Sequence, residues 1–128
     1  MTASDVAEAH ATQTRLYRVL QRFFDDFDLL ICPTVAVPPF PIEDGYVKAI
    51  DGQPMRTYYS WLALTYYLSL TGHPCISLPC GLDATGTPFG LQLVAPAHED
   101  NFLLKVALAL EQAMARDIRT ARPLPSIQ

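Results

Sequence analysis

Charge is what this sequence has least of. Only 17% of its 128 residues are Asp, Glu, Lys or Arg, against about 25% in an ordinary soluble domain. From Thr57 to Leu82 there is none: TYYSWLALTYYLSLTGHPCISLPCGL. Charged side chains are rarely buried unless paired, so this run reads as the part of the chain that everything else packs around. It predicts a buried helix that stops at Gly72 and a buried strand that begins near Cys75. It is not a membrane span. Its apolar part, Tyr58 to Leu70, is shorter than the roughly 20 residues needed, and Gly72, Pro74 and Pro79 break up the residues beyond it.

Other scarcities bound the function. The net charge of −4 argues against a nucleic-acid partner, which asks for a basic face. Cys32, Cys75 and Cys80 are the only cysteines. An odd, small number without a secretory leader reads as a reduced, cytoplasmic protein. The opening residues MTASDVAEAH have neither the basic start nor the long apolar centre of a leader. No internal repeat is visible. Half of the residues are hydrophobic, which implies either a well-buried core or a surface that expects a partner. The length suits one domain or part of one.

The elements follow from pattern. Ser4 to Phe27 reads as an amphipathic helix, with Leu16, Leu20, Phe23 and Phe27 at helical spacing and Val19 and Phe24 beside them. Arg15, Arg18 and Arg22 form its solvated stripe. Thr2 or Ser4 caps its start, where Asp5 and Glu8 suit the helix dipole. Asp28 to Cys32 is a short strand ended by Pro33. The proline cluster at Pro38, Pro39 and Pro41 makes the next segment a stiff, extended loop. Tyr46 to Met55 is a small hairpin turning on Asp51-Gly52, the dipeptide that a type I′ turn prefers, and Pro54 confines its second arm to an edge.

A helix over Thr57–Leu70 comes next, with Gly72 at its C′ position and Pro74 blocking continuation. Cys75 to Cys80 is a strand that Pro79 confines to an edge or a short, irregular form. Gly81 to Thr87 carries turn residues, and Phe89 to Ala95 is a strand placed for antiparallel pairing with the one before. The last helix spans Glu99 to Ile118, with Phe102, Val106, Leu110 and Ala113 as its apolar stripe and Leu103 and Leu104 widening it. Arg116 and Arg119 favour its end, and Pro123 and Pro125 stop it. The order is an α/β or α+β domain, a short mixed sheet covered by about three helices. It forms one unit: 1–27 helix; 28–56 strand, proline-rich loop and hairpin; 57–118 helix, two strands and helix; 119–128 tail.

Few residues point to chemistry. A serine nucleophile needs a glycine-flanked turn and a base. Ser4, Ser60, Ser69, Ser77 and Ser126 lack that setting, and neither Lys48, in the hairpin, nor Lys105, on an exposed helix face, is placed as a buried base. His73 precedes Cys75 by two residues, but catalytic thiol–imidazole pairs are usually distant in sequence. Cys75 and Cys80 therefore read as small core residues. There is no C-x-x-C and no H-x-x-x-H. His10, His73 and His98 fall on three elements, so no metal site is expected. Asp25, Asp26 and Asp28 read as a solvated turn. Trp61, Tyr58, Tyr59, Tyr66 and Tyr67 fit a core at their spacing, with a pocket wall as the alternative. Gly81 to Gly86 lacks the glycine pattern of a phosphate loop.

Three stretches, DLLICPT (28–34), TGHPCISLPCG (71–81) and PFGLQLVAP (88–96), in this order and spacing, resemble the C-terminal end of the amidase signature family. The resemblance runs from about Phe23 to about Leu110. The run YYSWLALTYYLSLTGHP is similar to general bacterial amidases and allophanate-hydrolase-like members. The resemblance implies a sheet covered by helices on both faces. It also implies hydrolysis of carbon–nitrogen amide bonds by a serine, a cis-serine and a lysine, with backbone N–H groups holding the oxyanion and no cofactor. Those catalytic groups belong to a serine- and glycine-rich signature, and a lysine upstream of it, that this chain does not contain. No catalytic residue is therefore carried over, and inactivity of the chain alone is expected. Two partners are implied: a catalytic N-terminal amidase half, encoded with this segment or separately, or a second copy joined through exposed apolar faces. In full-length relatives the proline-rich loop after Thr34 helps shape the substrate region.

Overall fold

A computed structural model describes residues 1–124. Pro125 and Ser126 lie outside the described residues.

Helix α1 spans Ala3–Asp26. Thr2 caps it in a reciprocal box: its hydroxyl accepts from the Asp5 backbone N–H, and the Asp5 carboxylate accepts from the Thr2 N–H. The arginine stripe lies in solvent as expected. The apolar stripe is only half covered, and no α1 side chain is fully buried.

Strand β1, Leu30–Pro33, leads into the proline-rich loop and a 3-10 turn at Ile42–Asp44. The small hairpin consists of β2, Ala49–Ile50, and β3, Gln53–Pro54. Asp51 and Gly52 both have positive φ, 47° and 72°, as a type I′ turn requires.

The charge-free helix differs from expectation. In place of a buried helix over Thr57–Leu70 there is a 3-10 turn at Ser60–Leu62 and then a short helix α2, Ala63–Ser69. The Thr57 N–H and hydroxyl both bond to the Ser60 Oγ. That local alternative competes with the first helical turn. Tyr58, Tyr59, Tyr67 and Leu70 are exposed. The absence of charge here does not mark the core. The end is as expected: Gly72 takes φ 71°, and Pro74 comes two residues later.

Strands β4, Cys75–Leu82, and β5, Pro88–Val94, pair antiparallel, and β1 pairs antiparallel with the other side of β5. The sheet order is β1-β5-β4. Pro79 lies inside β4 because that strand is an edge, where a missing N–H costs no ladder bond. The register slips between Pro79 and Leu82. Helix α3, Asp100–Met114, closes one face of the sheet.

The core lies between β4, β5 and α3. Leu78, Leu93, Ala95, Leu103, Ala107 and Met114 form it, with Ile76, Cys80, Leu91, Phe102 and Leu110 packed around them. The buried stripe of α3 is therefore Leu103–Ala107–Met114, shifted one position from the expected Phe102–Val106–Leu110–Ala113. Leu104 is exposed. The helix also ends four residues before Ile118. Asp117 N–H turns back to the Met114 carbonyl, and the Thr120 hydroxyl caps the same oxygen. Arg116 and Arg119 thus lie past the helix end. Three helices and a short sheet make a small mixed α/β fold, and both sheet pairings are antiparallel.

Candidate functional site

One concavity lies where the proline-rich loop leaves the sheet. It holds about 460 Å³ between the loop, the 3-10 turn carrying Trp61 and the β4–β5 hairpin. Three devices fix its walls. The Thr34 N–H donates to the Gly90 carbonyl at 3.0 Å, carrying the sheet ladder one residue beyond β1. Pro38, Pro39 and Pro41 restrict φ along the loop. The Phe40 ring stands edge-on to Trp61 at 5.5 Å between centroids, 84° between planes, a favoured aromatic geometry.

The far wall is the hairpin turn. Asp83 is its hub, accepting from the N–H and the hydroxyl of both Thr85 and Thr87. These bonds to the charged form, first those from the two hydroxyls, hold its carboxyl far below the usual range. Trp61 presents its indole beside this wall. Its Nε1 is buried and has no hydrogen-bond partner among the described residues. A second concavity of about 450 Å³ lies on the other side of the loop, against Asp44, Tyr46 and Lys48. The Lys48 ammonium sits 5.6 Å from the Tyr46 ring centre.

The sequence candidates fall into different places. Ser60 bonds to Thr57, Ser69 to the Thr65 carbonyl, and Ser77 to Thr34 across the sheet. Ser4 lies in the exposed first turn of α1. Among the described residues no serine is hydrogen-bonded to Lys48 or Lys105. Asp25, Asp26 and Asp28 are exposed. Gly81–Gly86 forms the hairpin turn and the end of β4.

His73 and Cys75 do not form a thiol–imidazole pair. The Cys75 Sγ donates to the His73 backbone carbonyl at 3.3 Å. Burial, then Cys32 nearby, pushes the Cys75 thiol up, away from a reactive thiolate. Cys80 packs against the core as expected, whereas Cys75 is exposed on the edge strand and is not a core residue. The His73 ring lies between Tyr17 and Phe24 of α1, at 5.2 and 5.4 Å. Its Nδ1 is 3.0 Å from the Thr71 hydroxyl, whose own hydrogen goes to the Leu68 carbonyl. Nδ1 must therefore carry the proton and donate. Nε2 is then a bare acceptor, buried without a partner among the described residues.

The aromatic run is mostly not core. Tyr58 and Tyr59 are exposed, Tyr67 borders a concavity of about 540 Å³ against α1, and Trp61 lines the cleft. Phe40, Asp83 and Phe89 join it there and were not singled out by the sequence. The signals that could have found them are the hydrophobic residues within the stiff VAVPPF loop and the D-A-T-G-T turn.

Comparison with known proteins gives one answer. The amidase family model matches residues 1–104. The chain is 38% identical over 116 residues to the A subunit of the glutamyl-tRNA(Gln) amidotransferase of Synechococcus sp. (strain RCC307), covering 91% of this chain and 22% of that protein. It is 31% identical over 112 residues to an acylamidase of Rhodococcus erythropolis, covering 87% and 23%. Among solved structures, a bacterial aryl acylamidase of the amidase signature family superposes with a TM-score of 0.78 at 27% identity, over 97% of this chain and 26% of that one. The A subunit of the Thermotoga maritima glutamyl-tRNA(Gln) amidotransferase does so with 0.78 at 25%, over 96% and 25%. The chain thus spans about a quarter of the length of the relatives it matches. With the family match covering most of its residues, the chain belongs to the amidase family.

Proposed function

We propose that this chain is the C-terminal part of an amide-bond hydrolase, inactive by itself. It forms one wall of the substrate cleft and leaves the attack on the carbonyl to groups outside these residues. One observation carries the reading: nearly the whole chain aligns with about a quarter of each relative, while Ser60, Ser69 and Ser77 bond to threonines or a carbonyl and not to a lysine. In this arrangement the loop and hairpin shape the substrate's surroundings. The nucleophile, its proton relay and the oxyanion donors come from the missing part. The three free thiols support a cytoplasmic location.

A second reading makes the chain a non-catalytic subunit that completes a separately encoded catalytic half. The two uncovered sheet edges, β1 and β4, and the exposed Ile31, Leu104 and Leu108 favour it. A second copy of this chain could cover the same surfaces, and light scattering on the purified chain separates monomer from dimer.

The test is complementation. The chain is co-expressed with the rest of the Rhodococcus erythropolis acylamidase, the part that the match leaves out. The expected result is no amide hydrolysis by either piece alone and hydrolysis by the co-purified pair. Turnover by this chain alone, lost on replacing Ser4, Ser60, Ser69 or Ser77 by Ala, would overturn the proposal.

A further inference from the structure

Helix α1 is long, and little holds it to the rest of the protein. No α1 side chain is fully buried. Among the described residues one side-chain hydrogen bond leaves the helix, from the Gln13 Nε2 to the Leu70 carbonyl at 2.8 Å. The other fastening is aromatic, the His73 ring held between Tyr17 and Phe24. We infer that His73 is a pH-sensitive latch, whose protonation releases α1 as a unit while the sheet and α3 stay folded.

His73 is itself fixed to the sheet. Gly72, at positive φ, and Pro74 set the chain on either side of it. The Pro74 carbonyl accepts from the Ala95 N–H, and the Cys75 thiol donates to the His73 carbonyl. The residue is 5% exposed. Its Nδ1 already donates to Thr71, so a second proton must go to Nε2, which is buried and faces no acceptor among the described residues. Protonation there creates a buried charge and an unsatisfied donor, and both are costly. The faces of Tyr17 and Phe24 attract a cation, but burial dominates and holds the His73 pKa below its ordinary value. Moving α1 away opens Nε2 to water, so the proton and the docked helix exclude each other.

No neighbouring charge offsets this. From α1 the ring meets the Tyr17 phenol, whose oxygen accepts from Gln21. His10 and Asp25, on the same helix, are exposed. The end of α2 supplies the Thr71 hydroxyl, and β4 supplies the Cys75 thiol, committed to the His73 carbonyl. Among the described residues the one ion pair is Asp117 with Arg119, beyond α3. The core around Leu78, Leu93, Leu103 and Ala107 holds no titratable side chain, so acid in this range does not loosen it. Phe27, Asp28 and Leu29 join α1 to β1 and form the hinge. Most helical stability in proteins comes from tertiary packing, so a released α1 frays and its amides exchange.

Hydrogen exchange of the purified chain, read by mass spectrometry and corrected for the intrinsic effect of pH, tests this. Between about pH 7.5 and about pH 5, residues 3–26 should come to exchange about tenfold faster or more. Strand β5 and α3 should keep their protection. NMR of the histidine ring protons is the second readout. The His73 midpoint should fall below about 6.5 and coincide with the loss of α1 protection. His73→Phe keeps a ring between Tyr17 and Phe24, cannot take the proton, and should hold α1 docked at both pH values. His10→Asn should leave the step in place. Circular dichroism melts check that each variant is folded. Equal α1 protection at both pH values, loss of β5 and α3 protection together with α1, an unchanged step in folded His73→Phe, or a step abolished by His10→Asn overturns the inference. Should His73→Phe fail to fold, the native chain decides: separate midpoints for the ring and for α1 overturn the latch, and a shared one upholds it.

Discussion

The hydroxyls of Thr34 and Ser77 meet at 2.7 Å above Gly90, the residue of the central strand that lies between them. They are 43 positions apart, on the chain leaving β1 and on β4, and the pair ties both outer strands together over β5. A Cβ on Gly90 would come within 2.9 Å of the Thr34 Oγ1, so glycine leaves room for the bridge. Ser77→Ala should cost about 1 kcal/mol in the native chain and close to nothing in a Gly90→Ala background, where the bridge is already displaced. Urea denaturation of the four proteins measures that coupling. Additive effects would show that the bridge contributes nothing.

Gly81 is a stricter position. It is buried, its φ is +66°, and a Cβ there would run into the backbone carbonyl of Arg119. Backbone cannot rotate aside as a side chain can. Gly81→Ala should therefore lower stability by more than the roughly 1 kcal/mol that positive φ alone costs. The loss should also free the segment after α3, raising proteolytic cleavage near Arg119. A melting temperature equal to that of the native chain would contradict this.

His73 gives the fold a pH dependence. Burial lowers its pKa in the folded chain, while the unfolded chain has the ordinary value near 6.5. The unfolded state thus binds the proton more readily, and stability is lost as the pH falls from about 6.5 towards the lower folded value. Above about 6.5 the contribution is fully present. His73→Phe keeps an aromatic ring between Tyr17 and Phe24 and removes the titration. Melting temperatures measured from pH 8 to pH 5 should decline more steeply in the native chain than in the variant.

Leu93 is fully buried at the centre of the sheet, 0% exposed. Leu93→Ala should cost about 2–5 kcal/mol, the range for opening a cavity in a packed core. Domains have only about 5–15 kcal/mol in total, so this variant should melt far below Leu104→Ala, whose side chain is 58% exposed. Similar losses from both would mean that α3 is held by its outer face.

Local chemistry was legible in the residues alone. Thr2 and Asp5 close the capping box, Asp51-Gly52 makes its turn, Gly72 ends α2, and Pro79 lies on an edge strand, because each of these depends on neighbours a few positions away. The three motifs around Cys32, Cys75 and Leu91 carried the family for the same reason: they are short and contiguous. Tertiary structure alone decided which faces are covered. The charge-free run around Tyr58 and Tyr67 resembled a core and is largely exposed. The α3 stripe is Leu103–Ala107–Met114 because the sheet meets that face, and several apolar faces of that helix satisfied the same spacing. The cleft was least legible of all. Phe40, Trp61, Asp83 and Phe89 become neighbours only when β1 and the β4–β5 hairpin join one sheet, and no local pattern records which distant segments will meet.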